Sequence, residues 1–227
     1  MITVITATYN HAAHLPGAVA SVRAQAWPDW EHLIIDDGST DATPEVLARL
    51  DLAEPRWRLF RLPHRGAVAA LNFGLAQARG DWVAFLDADD ELLPDHLSLL
   101  RDTAGAGDLA LGRFTLVNCS DDPQPTVPDF YRPGQEIPVQ QMESCTGVLF
   151  GRRELFLRLG GFRPVRSSDT DLFNRMKQSG CTWTRASRPT YRYFFGREKN
   201  HMALRELQEE RSLRQGDGSS RPCACLE

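Results

Sequence analysis

The chain has 227 residues, a net charge of −4, 42% hydrophobic and 25% charged residues, which fits one domain of ordinary size with a sizeable core. The negative balance argues against a nucleic-acid partner, and no apolar run approaches the ~20 residues of a membrane span. Five cysteines without metal-ligand spacing read as reduced thiols. A strand starting at Met1 is expected to have no leader before it, so the expected location is cytoplasmic.

In chain order, residues 2–7 form a β-rich run, and residues 12–26 carry Leu15, Val19 and Val22 at helical spacing. Residues 30–35 read as a second strand running into Asp36-Asp37-Gly38-Ser39-Thr40. Thr43-Pro44 is a cap and first turn for a helix with Val46, Leu47 and Leu50. Residues 57–62 are a third strand. Residues 67–79 are a helix with Leu71 and Leu75 on one face, and Gly80 as its stop. The apolar run 82–86 is a fourth strand. Alternating strands and helices predict a doubly wound α/β domain, with ligands beyond the carboxyl ends of the strands.

Those ends carry three polar clusters: Thr8-Tyr9-Asn10, Asp36-Asp37, and Asp87-Ala88-Asp89-Asp90. Crowded carboxylates raise one another's pKa unless a cation neutralises them. A hard divalent ion held by one or two carboxylates plus substrate phosphates is the usual remedy, so the last cluster points to a metal–diphosphate site. An acidic turn opening the next helix, with Pro94 at its first position, is the plainer alternative.

Three segments, Thr3 to Asn10, Asp36 to Asp41 and Ala78 to Asp90, resemble the family-2 glycosyltransferases of the GT-A fold in order and spacing. Gly160-Gly161-Phe162 followed by Asp169-Thr170-Asp171-Leu172 is similar to that family's acceptor-side motif, and the resemblance covers residues 1–195. It implies a Rossmann-like, mostly parallel sheet flanked by helices, with a smaller acceptor-side region. The nucleotide-binding part would be 1–105, the acceptor-side part 106–200, and 201–227 a helix and flexible tail. The implied activity is metal-assisted, inverting transfer of a sugar from a nucleotide diphosphate donor, UDP foremost, to a hydroxyl acceptor. That acceptor would be a glycan, a lipid-linked chain or a small molecule, and work on lipid-linked chains would bring the protein to the membrane periphery.

The resemblance also distributes roles. Asp36, ahead of Asp37, would accept hydrogen bonds from a base or ribose, with Thr8, Tyr9 and Asn10 facing the nucleoside. Asp89 would be the direct ligand for Mn2+ or Mg2+. Asp87 would be a second ligand or face the ribose, with Ala88 between them, and Asp90 would be a further ligand or a helix cap. Arg65 and Asn72 would lie on the donor side. Arg65 would contact phosphate, because Leu71 stands where the family often has a basic residue. Asp169 would take the acceptor's proton, or else cap the helix bearing Leu172, Phe173 and Met176. Ser168 stands where the family usually has Glu, and Asp171 would be structural. His201 would be a further metal ligand or a surface residue.

The remaining segments are less explicit. Residues 121–138, with five prolines, read as a long loop, and residues 142–150 as a strand. Residues 152–159 read as a short helix stopped by Gly160-Gly161, and 183–186 and 191–195 as strands whose aromatic residues belong to the core. Two rival functions remain. A nucleotidyltransferase would want a Gly-rich basic loop after its first strand, which Thr8-Tyr9-Asn10-His11 does not offer. A non-catalytic sugar-nucleotide binder or degenerate partner subunit stays open, given Leu71 and Ser168.

Overall fold

The computed structural model describes residues 1–119, 126–128, 136–138, 146–165 and 167–195. Its centre is a seven-stranded sheet. The strands in chain order are β1 (Ile2–Thr8), β2 (Trp30–Asp36), β3 (Trp57–Arg61), β4 (Trp82–Phe85), β6 (Leu109–Leu111), β10 (Leu149–Arg152) and β11 (Trp183–Arg185), arranged β11-β6-β10-β4-β1-β2-β3. All neighbours run parallel except β10, which is antiparallel to both β4 and β6. The expected mostly parallel α/β architecture is what forms.

Side-chain alternation along the strands builds two cores, one on each face. On one face Val4, Ile34, Ala84 and Phe150 pack with helices α1 (Leu15–Arg23), α2 (Thr43–Arg49) and α4 (His96–Ala104) through Leu15, Val19, Leu47, Leu97 and Leu100. On the other, Ile5, Val83, Phe85 and Leu149 meet α3 (Ala67–Gln77), α5 (Arg153–Arg158) and α6 (Ser168–Gln178) through Leu71, Leu75, Phe156, Leu172 and Met176. Each such fully buried side chain contributes about 1.5–3 kcal/mol of transfer free energy.

A second sheet of three strands, β5 (Glu91–Leu92), β12 (Tyr191–Phe195) and β7 (Phe114–Asn118), has β12 in the middle. Because β5 directly follows the acidic segment, pairing Tyr191 with Leu92 brings the start of β12 back to that segment.

Several boundaries differ from expectation. Helix α1 is shorter than 12–26, and α3 ends at Gln77, before Gly80. The backbone N–H of Gly80 is instead taken by the Thr3 hydroxyl, 2.9 Å away. Pro94 does not start α4, whose N-cap is Asp95. The loop expected over 121–138 contains two paired short strands, β8 (Thr126–Pro128) and β9 (Glu136–Pro138). The strand expected over 142–150 is a 3-10 turn, Thr146–Val148, followed by β10; residues 142–145 lie outside the described residues. Among the described residues no helix is long and apolar enough to cross a membrane.

Candidate active site

Strands β1 and β2 end side by side, with Thr8 paired to Asp36. Both residues are about 2% exposed or less. Asp36 Oδ1 accepts the Ser39 N–H at 2.9 Å. Its Oδ2 is buried and takes no hydrogen bond among the described residues; the Arg61 Nε lies 3.5 Å from it. The Thr8 hydroxyl is likewise buried without a hydrogen-bond partner there. Burying such atoms without a hydrogen bond costs free energy, which makes the pair a candidate ligand contact.

Asp37 is fully engaged. Its Oδ1 accepts the Arg65 N–H at 2.9 Å and its Oδ2 the Gly66 N–H at 2.8 Å. His64 Nδ1 also lies 2.8 Å from Oδ2. Asp37 therefore shapes the turn into α3. That turn places the His64 ring against Tyr9, stacked with centroids 4.0 Å apart. The Arg65 side chain is exposed at the same turn. Asn10, at φ 59°, turns its side chain back onto the chain: Oδ1 accepts the N–H groups of Thr40 (2.8 Å) and Asp41 (3.1 Å). It fastens the loop after β2 to the end of β1.

The acidic segment follows β4. Asp87 is half-buried, Ala88 and Asp89 are buried, and Asp90 is 1% exposed. Burial, then the charges of Asp89 and Asp169, push the Asp87 carboxyl up to about 7, although a Tyr191 hydrogen bond works against the rise. Asp169, far away in sequence, thus shares the electrostatic environment of the Asp87–Asp89 pair. Asp90 is neither cap nor outward-facing ligand: its Oδ2 accepts the Tyr191 hydroxyl at 2.7 Å and its Oδ1 the Phe194 N–H at 2.8 Å. Its carboxyl is raised by burial and then by Asp87 and Asp89.

The acceptor-side segment is held from both sides. Gly160 and Gly161, at φ 76° and 65°, end α5. Arg175 donates to the carbonyls of Leu159 and Gly161, each at 2.7 Å, and pairs with Asp171 at 2.8 Å. The Asn72 amide is engaged with the backbone of Phe162. Its Nδ2 donates to the Phe162 carbonyl (2.8 Å), and its Oδ1 accepts the Phe162 N–H (2.9 Å). A Cβ at Gly161, whose φ of 65° already favours glycine, would collide with Asn72 Oδ1 and displace the amide from Phe162. Ser167, at φ 52°, is the N-cap of α6, and Asp169 lies inside the first turn with Oδ1 on the Thr170 N–H at 2.8 Å. Ser167 occupies the N-cap position without a side-chain capping hydrogen bond, and the first-turn N–H of Thr170 is met by Asp169.

His201 and residues 201–227 lie outside the described residues. Tyr191 and His64 were not singled out for the site by the sequence, and the partners of Asp90 were not foreseen. Their placement depends on partners far along the chain, and no local pattern announces it.

The profile of Glycosyl transferase family 2 matches residues 3–160. The chain belongs to this family. It is 40% identical over 106 residues to the succinoglycan biosynthesis protein ExoO of Rhizobium meliloti, an overlap of 46% of this chain and 30% of that protein. It thus spans less than half the length of that relative. The fold is shared with Staphylococcus aureus TarS 1-349 in complex with UDP-GlcNAc (TM-score 0.67, 22% identity, 88% of this chain and 60% of that one). The mannosyltransferase PcManGT of Pyrobaculum calidifontis, in complex with GDP-Man and Mn2+, shares it too (TM-score 0.63, 21% identity, 97% and 66%).

Proposed function

We propose that this chain is an inverting glycosyltransferase that moves a sugar from a nucleoside diphosphate donor, UDP foremost, to a hydroxyl acceptor. The observation that supports this most is the acidic segment at the carboxyl end of β4, where burial and then the charges of Asp89 and of Asp169, from the first turn of α6, raise the Asp87 carboxyl. Membership of the family and the donors seen with TarS and PcManGT support the reading.

The residues fit a divalent cation. Asp87 and Asp89 present oxygen donors whose mutual repulsion a cation would relieve. Among the described residues no group of three or more His, Cys, Asp or Glu is arranged to hold a metal alone. Diphosphate oxygens would complete the shell, the usual arrangement for Mg2+. Bound there, Mn2+ or Mg2+ would offset the negative charge that builds on the leaving diphosphate.

The protein's own groups supply the rest. Asp36 Oδ2 and the Thr8 hydroxyl meet polar atoms of the base or ribose, and Tyr9, backed by His64, bounds the nucleoside. Arg65 lies at the α3 turn, within reach of phosphate. Asn72, Gly161 and Arg175 hold the segment leading to Asp169. Asp169 accepts the proton of the attacking hydroxyl as that oxygen joins the anomeric carbon and the diphosphate departs from the opposite face. The acceptor is a polysaccharide, a lipid-linked chain or a smaller hydroxyl compound.

The test is a thermal-shift screen of nucleotide sugars with and without Mn2+, followed by donor hydrolysis. A UDP-sugar that raises the melting temperature more with Mn2+ than without, and is slowly hydrolysed, supports the reading. Binding without any turnover favours a non-catalytic binder. A response to GDP-sugars alone overturns the UDP assignment.

A further inference from the structure

We propose that Tyr191 is a positioning residue for the cation site, its hydroxyl fixing the backbone of the Asp87–Asp89 segment so that both carboxylates meet one ion. The inference rests on the cation site proposed above, and concerns a fully buried residue about a hundred positions away in the chain.

The Tyr191 side chain is fully buried. Its ring is set between Gly147, where a Cβ would overlap the ring, and His96, whose ring centroid is 6.1 Å away. Phenylalanine would fill that space equally well, so packing alone does not call for a hydroxyl. The hydroxyl sits on the acidic segment itself. It donates to Asp90 Oδ2 at 2.7 Å, accepts the Asp87 N–H at 3.2 Å, and lies 3.4 Å from Asp87 Oδ2. The other oxygen of Asp90 accepts the Phe194 N–H at 2.8 Å. One chain of bonds thus runs from the Asp87 backbone through Tyr191 and Asp90 to Phe194.

The same strand grips the far side of the segment. Tyr191 pairs with Leu92, and the Leu93 N–H donates to the Thr190 carbonyl at 2.8 Å. The Asp87–Asp90 turn is therefore held at its first residue by the hydroxyl and beyond its last by the β12 backbone. A metal-binding carboxylate needs such support, because the ligand geometry of a small hard cation is demanding and outer partners set it. The Tyr191 hydroxyl supplies this support to Asp87 through its N–H.

Tyr191→Phe removes the hydroxyl and keeps the ring. Mn2+ is titrated calorimetrically into parent, Tyr191→Phe and Asp89→Ala, each saturated with the nucleoside diphosphate chosen by the donor screen. Expected is a roughly 10–100-fold weaker Mn2+ affinity in Tyr191→Phe, the usual loss for an outer partner. Binding of the nucleoside alone, without metal, should stay within about two-fold of the parent, which a general loss of structure would not allow. Equal Mn2+ affinity in parent and Tyr191→Phe, alongside its loss in Asp89→Ala, overturns this proposal alone. A parent that binds no Mn2+ overturns the cation-site reading as well. Should Tyr191→Phe fail to fold, the parent decides: with 13Cζ-labelled tyrosine, the Tyr191 signal should move when Mg2+ and nucleotide are added. An unmoved signal in a protein that binds the metal overturns the proposal.

Discussion

Asn72 closes both ends of its amide on the backbone of Phe162, donating to the carbonyl at 2.8 Å and accepting the N–H at 2.9 Å. This one side chain ties α3, on the nucleotide side, to the segment that leads to Asp169. The contact explains why Gly161 has no side chain and why Phe162 is buried against Phe85, with ring centroids 5.1 Å apart.

The first prediction follows from that tie. Asn72→Ala leaves the Phe162 N–H and carbonyl without their partner, and stability should fall by about 1–3 kcal/mol in urea denaturation. For a chain of this size that is a melting shift of about 2–4 °C per kcal/mol. Metal-free nucleoside binding should hardly change, because Asp36 and Thr8 lie on other elements. A variant as stable as the parent but weak in nucleoside binding would return Asn72 to the donor side.

A second prediction concerns acid. His32 and His96 are fully buried, and burial lowers them to about 3 and about 4. Both are depressed below the unfolded value near 6.5, so below that pH the unfolded state binds protons the folded state refuses. Each histidine then costs about 1.4 kcal/mol of stability per pH unit, down to its folded pKa. Asp87, raised to about 7, acts oppositely: folded, it holds a proton, so it restores stability as pH falls from about 7 toward the ordinary carboxylate range, and Asp90, also raised by burial, works in the same direction. The parent's stability should therefore change little between pH 6.5 and 5. His96→Gln removes one unfavourable proton, so its stability relative to the parent should rise by about 2 kcal/mol over that interval. Urea unfolding at pH 7.5, 6 and 5 with chelator present measures this, and parallel pH curves for the two proteins would sink it.

The strand ends that carry the candidate nucleotide contacts could be read from the sequence because they are local. Alternating apolar residues define β1, β2 and β4, and their polar exits are the next residues along the chain. Strands β5, β6 and β7 were not foreseen, since two or three residues carry no period, and β8 and β9 were hidden by prolines. The second sheet mattered more. Asp90 could be read as ligand or cap because its true partners, Tyr191 and Phe194, lie about a hundred residues on. Asn72 was assigned by its neighbourhood in sequence, but its bonds are made in space. Tyr191 looked like core, and it is buried; only tertiary pairing shows that its hydroxyl reaches the acidic segment.

The third prediction isolates the nucleoside. Asp36→Asn keeps an oxygen for the Ser39 N–H but replaces the buried Oδ2, which takes no hydrogen bond among the described residues and faces Arg61 Nε at 3.5 Å, with a donor. If Oδ2 accepts from the base or ribose, binding of uridine alone should weaken by about 1.5–3 kcal/mol, roughly ten- to hundred-fold. Unchanged uridine affinity by calorimetry, with a loss seen only for the diphosphate, would assign Asp36 to another part of the donor.

The last prediction separates chemistry from binding at Asp169. This residue lies in the first turn of α6, two residues after the N-cap position at Ser167, whose side chain makes no capping hydrogen bond. One oxygen accepts the Thr170 N–H at 2.8 Å, a bond that Asn can also make. Asp169→Asn should therefore fold like the parent. It leaves Asp87 and Asp89 in place, so metal and donor binding should stay close to those of the parent. What Asn cannot do is take the acceptor's proton. Transfer to a true acceptor should fall by about 10²–10⁴-fold, the range for losing a general base. The comparison needs saturating donor and metal, so that the rate reports the chemical step and not occupancy. A variant that binds donor normally and transfers at a near-parental rate would remove Asp169 from the reaction. Asp171, already paired with Arg175, would then be a poor replacement, because its carboxylate is committed to holding Gly161 through that arginine.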